Sequence, residues 1–289
     1  MPETDDPLPP LRDIIRDHDL RASKVLGQNF ILDLNLTRRI ARTATQAGAT
    51  PLHKVIEIGP GPGGLTRGLL MEGAEHVTVI EADERFRPAL EDIATAYPDR
   101  LSVVMGDALK INPSEILEGN YKIVANLPYN IATPLLIKWL SQSPIGWDSL
   151  TLMFQKEVAQ RICAQPGEDN YGRLAVLSNW LAETRIEFDV PADVFVPPPK
   201  VTSAIVSLIP REHPLAEADL STLEKVTAAA FGQRRKMLRA SLKQITNEAE
   251  TILIACNIDP TRRAETLTIE EFCTLARALK EYIDLKMSL

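Results

Sequence analysis

The chain has little that could tie a fold together through sulfur or metal. Cys163, Cys256 and Cys273 are its three cysteines, and they stand far apart. That spacing fits neither a disulfide framework nor a zinc site. Reduced, inert thiols and a cytoplasmic setting are therefore the expectation. His18, His53, His76 and His213 are equally scattered and form no ligand pattern, so no metal is expected. Long apolar runs are missing too: none reaches the roughly 20 residues of a membrane span. The opening MPETDDPLPP lacks the basic start and apolar core of a secretory signal, and its acidic, proline-rich composition predicts a flexible tail over residues 1–20.

Positive charge is also short. A net charge of −7 over 289 residues argues at first against a nucleic-acid partner. The charge is unevenly placed, however. Residues 57–120 hold 12 acidic and 5 basic side chains, whereas residues 225–247 hold Lys225, Arg234, Arg235, Lys236, Arg239 and Lys243 and no acid. A local basic patch is hidden in the mean.

Apolar periodicity supplies the architecture. Short apolar runs predict strands at 54–59, 76–83, 101–109, 122–129, 149–154, 185–190 and 201–209. Helical patterns at 36–48, 65–74 and 87–97 separate the early ones. Strands alternating with helices predict an α/β fold, a doubly wound, Rossmann-like parallel sheet with right-handed crossovers. The composition breaks at Pro210–Pro214. Beyond it only helical patterns follow, at 219–232, 235–245, 248–257 and 268–283. The expected division is a sheet domain over 21–210 and a small all-helical domain over 211–289. One large domain with a short helical partner suggests a monomer.

After the first strand comes EIGPGPGG, in which Gly59, Gly61 and Gly64 satisfy G-x-G-x-x-G. The pattern brings backbone close to a ligand at a helix N-terminus, and fits a dinucleotide or a nucleoside cofactor such as S-adenosylmethionine. Glu81 closes the second strand 22 residues later, where a carboxylate can accept both ribose hydroxyls of either ligand. Asp107 ends the third strand and suits an adenine amino group, because a carboxylate accepts what that group donates.

The fourth strand ends in Asn126-Leu127-Pro128-Tyr129. An aromatic amine is a poor nucleophile because its lone pair spreads into the ring. Two acceptors aimed at its N–H bonds favour a pyramidal nitrogen and stabilise the charge that develops. Asn126 offers a side-chain carbonyl and Leu127 a backbone one. Pro128 holds Leu127 extended, which fixes the aim. Tyr129 can stack on a purine.

With these residues together the chain resembles the ribosomal RNA adenine dimethyltransferases. The matching stretches are GQNFILD (27–33), EIGPGPGGLT (57–66), VIEAD (79–83), GDAL (106–109), NLPYNIATPLL (126–136), FQKEVAQRI (154–162), YGRLAV (171–176), VFVPPPKVTSAIV (194–206), FGQRRKMLRASL (231–242) and IDPTRRAETL (258–267). They run in order along nearly the whole chain. The resemblance implies a seven-stranded methyltransferase sheet followed by a helical RNA domain. It implies S-adenosylmethionine as donor, held by Asn29, Ile31, Gly59, Gly61, Glu81, Asp107 and Asn126. It also implies that Phe195 covers the target base opposite Tyr129. The implied substrate is a pair of adjacent adenosines in a hairpin loop near the 3′ end of small-subunit (16S) ribosomal RNA, modified during subunit biogenesis. Neither Asn29 nor Phe195 stands out without the family. Ile31 and Pro62-Gly63 depart slightly from its usual residues.

For the RNA side, Leu238, Leu242 and Ile245 follow i, i+4, i+7 and are expected to face a core. Arg234, Arg235, Lys236, Arg239 and Lys243 then point elsewhere, without a nearby acid in the sequence, and are expected to meet phosphates. Arg21, Lys24, Arg38, Arg39 and Arg42 form a second basic group.

Overall fold

The computed structural model describes residues 6–23, 27–48 and 51–287. Seven strands form one sheet: β1 Lys54–Ile58, β2 His76–Glu81, β3 Leu101–Met105, β4 Tyr121–Ala125, β5 Trp147–Gln155, β6 Ala182–Val190 and β7 Ser203–Pro210. Their order is β3-β2-β1-β4-β5-β7-β6. Strands β1 to β5 run parallel, and β7 lies antiparallel to β5. All seven expected strands are present. The inner strands read as apolar because both faces are covered: β4 is buried throughout. Each fully buried Leu, Ile or Val contributes about 1.5–3 kcal/mol before chain entropy is charged against it.

The early helices are α1 Leu11–Asp17, α2 Leu34–Gln46, α3 Gly64–Met71, α4 Arg87–Ala96 and α5 Tyr129–Leu140. The first corrects the expectation of a flexible tail for residues 6–20; residues 1–5 of that expected tail lie outside the described residues. Leu11, Ile14 and Leu20 are buried, and Asp6 pairs with the buried guanidinium of Arg67 on α3. The local composition is polar, but Leu11 and Ile14 stand three apart and share a helix face. Strand β4 holds another buried charge. Lys122 Nζ donates to the carbonyls of Ala44 (2.9 Å) and Ala47 (2.5 Å), closing the end of α2 where orphan carbonyls need donors.

The chain divides into two compact units, one running to Ala159 and including Arg185–Pro210, the other made of Gln160–Thr184 and Arg211–Leu289. The expected cut near 210 therefore misses residues 160–184. In the second unit Tyr171 packs edge-on against Phe231 (5.8 Å between centroids), and Phe231 lies 5.5 Å from Phe272. Trp180 Nε1 donates to Ala216 O at 2.7 Å.

The expected helix over 235–245 is not continuous. It is a short helix Leu238–Ser241 followed by a 3-10 turn Leu242–Gln244. The N–H groups of Leu238 and Arg239 are taken by the carbonyls of Arg262 and Pro260, which prevents an unbroken ladder. Leu238 and Leu242 are buried as expected. Among the described residues no helix is long and apolar enough to cross a membrane.

Candidate active site

The strand order reverses between β1 and β4. Open parallel sheets hold their ligands in the crevice at such a point, beyond the carboxyl ends of the strands. A cavity of about 400 Å³ lies there, a size suited to a nucleoside-sized ligand. Its walls include Asn29, Ile31, Gly59, Gly61, Glu81, Asp107, Asn126, Leu127, Pro128 and Tyr129. Residues that the sequence spreads over a hundred positions thus meet at one sheet edge.

The glycine loop is built by exclusion of side chains. Gly63 adopts φ +88° at the N-cap of α3, a conformation L-residues avoid. At Gly64 a Cβ would lie 2.7 Å from the carbonyl oxygen of Ile31 and 3.0 Å from Leu11 Cδ2. Only glycine lets α3 start this close to the 30–31 segment.

Glu81 binds this loop. Its Oε2 accepts from Gly61 N at 3.0 Å and its Oε1 from Asp83 N at 2.9 Å. Burial raises its pKa, and the two N–H groups oppose that rise. Asp83 in turn is held by Arg85 and Gln28, which bring it down to about 2. Asp107 is more open. Its Oδ1 accepts from Leu109 N at 2.9 Å, capping its own turn.

Asn126 is oriented by the backbone. Its Nδ2 donates to Asn29 O at 3.1 Å. A carbonyl can only accept, so the amide nitrogen must face it and Oδ1 is left as an acceptor on the other side. Neither Asn126 Oδ1 nor Leu127 O accepts a hydrogen bond among the described residues. Pro128 caps α5 with φ −54° and ψ 130°. The Tyr129 hydroxyl is 2.7 Å from Ser203 Oγ, which fixes the ring at the cavity wall.

Phe195 is not part of that wall. It is 2% exposed and pairs with Ile31 in a two-residue antiparallel ribbon, inside the core cluster with Phe30 and Phe86. The implied cover over a base is not formed in this arrangement.

Sequence reading missed Glu57. This carboxyl lines the cavity, is 1% exposed, and accepts from Thr66 Oγ at 2.6 Å. Burial, with a smaller push from Glu81, raises its pKa from the ordinary 4.5 to about 8. An acid between the apolar Val55, Ile56 and Ile58 of the strand was the available signal. The sign of its effect follows from proton counting: above pH 4.5 the unfolded chain releases a proton that the folded chain keeps. Stability is fully present below that pH and is lost as pH rises through about 8. The melting temperature should therefore fall between roughly pH 4.5 and pH 8, and Glu57→Gln should flatten the profile and melt higher at its alkaline end. Parallel profiles for the two proteins would refute the assignment.

Residues 20–281 match the family model described as ribosomal RNA adenine dimethylase. The chain belongs to the ribosomal RNA adenine dimethylase family. This dimethylase is 59% identical over 276 residues to the ribosomal RNA small subunit methyltransferase A of Paracoccus denitrificans, covering 95% of this chain and 97% of that one. A Ruegeria protein of the same name is 56% identical over 278 residues, covering 96% and 98%. Among solved structures, a dimethyladenosine transferase from Plasmodium falciparum superposes with a TM-score of 0.68 at 25% identity, covering 84% of this chain and 95% of that one. The 23S rRNA methyltransferase ErmE does so at 0.65 and 29% identity, covering 87% and 100%. The dimethylase is a methyltransferase with the seven-stranded sheet that the sequence predicts. Among the described residues no group of three or more His, Cys, Asp or Glu is placed to hold a metal ion.

The basic groups of the dimethylase need correction. Arg234 pairs with Glu265 at 3.1 Å and donates to Asp169 O at 2.5 Å, and Arg239 lies 3.8 Å from Glu250. The run is free of acids in sequence but not in space. Arg235, Lys236 and Lys243 are exposed, and no ion pair to them is found among the described residues. In the second group Arg38 and Arg42 both bind Glu72, and Arg39 covers the Phe188 ring at 3.8 Å. Lys24 lies outside the described residues.

Proposed function

We propose that this chain transfers methyl groups from S-adenosylmethionine to the N6 amino groups of two adjacent adenosines in a hairpin loop near the 3′ end of small-subunit (16S) ribosomal RNA. The products are N6,N6-dimethyladenosines, formed in the cytoplasm during small-subunit biogenesis. The observation that carries this reading is the pair of unengaged acceptors, Asn126 Oδ1 and Leu127 O, beside the cavity at the sheet's switch point. The names of the relatives support the choice of the small-subunit RNA.

The cavity fits the donor on the chemistry of its walls. Glu81 is an acceptor beside the glycine loop, suited to ribose hydroxyls, and Asp107 is an acceptor at the next strand end, suited to an adenine amine. Asn29 and Ile31 add walls from the segment that packs on Gly64. When bound, S-adenosylmethionine supplies an electrophilic methyl carbon on a sulfonium. Asn126 Oδ1 and Leu127 O accept from the target amine, hold it pyramidal and stabilise its developing charge. Tyr129 stacks on the purine, which must leave its own stack to arrive. The surplus proton passes to water, since an alkylated amino cation is acidic. The surrounding apolar wall excludes competing water from the reacting nitrogen.

Arg235, Lys236 and Lys243 are the RNA-binding residues of this reading that carry uncompensated charge. Arg234 and Arg239 would have to exchange an internal partner for a phosphate. The test is to incubate the protein with unmethylated small ribosomal subunits and labelled donor, and to locate the product by mass spectrometry. Label on two adjacent adenosines near the 3′ end is expected, whereas label confined to large-subunit RNA would overturn the reading. In the same assay the Arg235→Ala, Lys236→Ala double variant should need about tenfold more particle for half-maximal rate, and show a shallower salt dependence, because two phosphate contacts are removed while Lys243 remains.

A further inference from the structure

We propose that Lys138 is a positioning residue for the adenine end of the donor site, tying the Asp107 loop to the helix that begins at Tyr129. The inference rests on the donor reading above. Lys138 lies on α5, nine residues beyond Tyr129. Its Nζ donates to three carbonyls of one loop: Ala108 at 3.2 Å, Leu109 at 2.9 Å and Ile111 at 2.7 Å. Three carbonyl oxygens turned toward one point repel each other unless a cation sits between them. An ammonium with three donors matches that demand.

The consequence is an oriented loop. Gly106, Asp107, Ala108 and Leu109 line the cavity with one edge while the carbonyls of 108, 109 and 111 face Lys138 with the other. Leaving the loop would strip the ammonium of its partners, so the contact resists opening. A second tie lies beside it: Gln142 Nε2 donates to Asn112 Oδ1 at 2.9 Å, just past the end of α5. At Gly106 a Cβ would meet Ile111 Cδ1 at 2.7 Å, so the loop is closed tightly on itself. Partial burial lowers the Lys138 pKa, and the carboxylates of Asp107 and Glu115 oppose this and favour the charged form. The loop that carries the adenine acceptor is therefore built onto the same helix that presents the base clamp.

Calorimetry with S-adenosylhomocysteine and with its inosine counterpart, which lacks the exocyclic amine, tests this. Lys138→Met should weaken the adenosine ligand about tenfold and leave the inosine ligand unchanged, because only the former uses the Asp107 contact. Lys138→Gln, which keeps two donors on a stem one bond shorter, should retain more affinity than Lys138→Met. Equal weakening of both ligands, or no weakening of either, overturns the proposal. Failure of the wild-type protein to bind S-adenosylhomocysteine would instead defeat the donor reading, so the two failures are told apart.

Discussion

Asn126→Ala should abolish methyl transfer to RNA while the protein stays folded and keeps most of its donor affinity. The reason is local. The amide of Asn126 contributes one backbone contact, from Nδ2 to Asn29 O, and one unengaged acceptor, Oδ1. Losing the backbone contact costs about 1 kcal/mol of stability, since a single neutral hydrogen bond is replaced by water. Losing the acceptor removes half of the field that holds the amine pyramidal, an interaction made chiefly in the transition state. Removing one such preorganised group typically costs about 10²–10³ in rate. The loss should fall on kcat for the particle, with donor binding by calorimetry nearly unchanged. Asn126→Asp makes a sharper control. It keeps an acceptor at the rim but loses the Nδ2 donor and sets a charge against Asn29 O. Its transfer rate should also collapse, which separates orientation of the acceptor from its mere presence. If Asn126→Ala methylates at near wild-type rate, the clamp is elsewhere.

The second large effect is on donor binding. Glu81→Ala removes the carboxylate that receives Gly61 N–H and Asp83 N–H, and with it the acceptor proposed for the ribose. Hydrogen bonds to a charged group contribute about 1.5–3 kcal/mol each, so an affinity loss of about 100-fold, or roughly 2.7 kcal/mol, is expected. Glu81→Gln keeps one acceptor oxygen and should lose about tenfold, the loss of a single charge-assisted bond. Isothermal calorimetry with S-adenosylhomocysteine reads both. Unchanged affinity in Glu81→Ala would refute the role. A lower melting temperature in Glu81→Ala is expected as well, because the glycine loop loses its anchor.

Much of this was legible in the sequence because local signals and tertiary demands agree. Strands such as 54–58 and 121–125 are short, mostly apolar and have a glycine within two residues of one end, which leaves little room for another reading. Glu81 and Asp107 sit at strand ends, where a carboxylate has a ligand or a cap to serve. What escaped was decided by distant partners. The acids that answer Arg234 and Arg239, Glu265 and Glu250, lie well along the chain and could not be paired by inspection. Lys138 reads as an ordinary solvated lysine within NIATPLLIKWL until the 108–111 carbonyls are placed beneath it. The helix at 11–17 was concealed by the prolines and acids before it. Asn29 owes its place to its backbone oxygen, and a backbone atom leaves no mark on residue choice. Phe195 came from family resemblance alone, and its burial beside Ile31 means that any contact with a base requires the 195–196 ribbon to open.

The assignment of residues 160–184 to the helical unit also bears on biosynthesis. Ribosomes deliver the chain from its amino end, so Tyr171 and Trp180 emerge long before Phe231, Phe272 and the Ala216 carbonyl that receive them. For that interval two large rings lack their final neighbours. A truncated polypeptide ending near position 210 would possess every strand of its sheet and still carry an adhesive, unfinished segment, the kind of surface that chaperones capture and proteases cut.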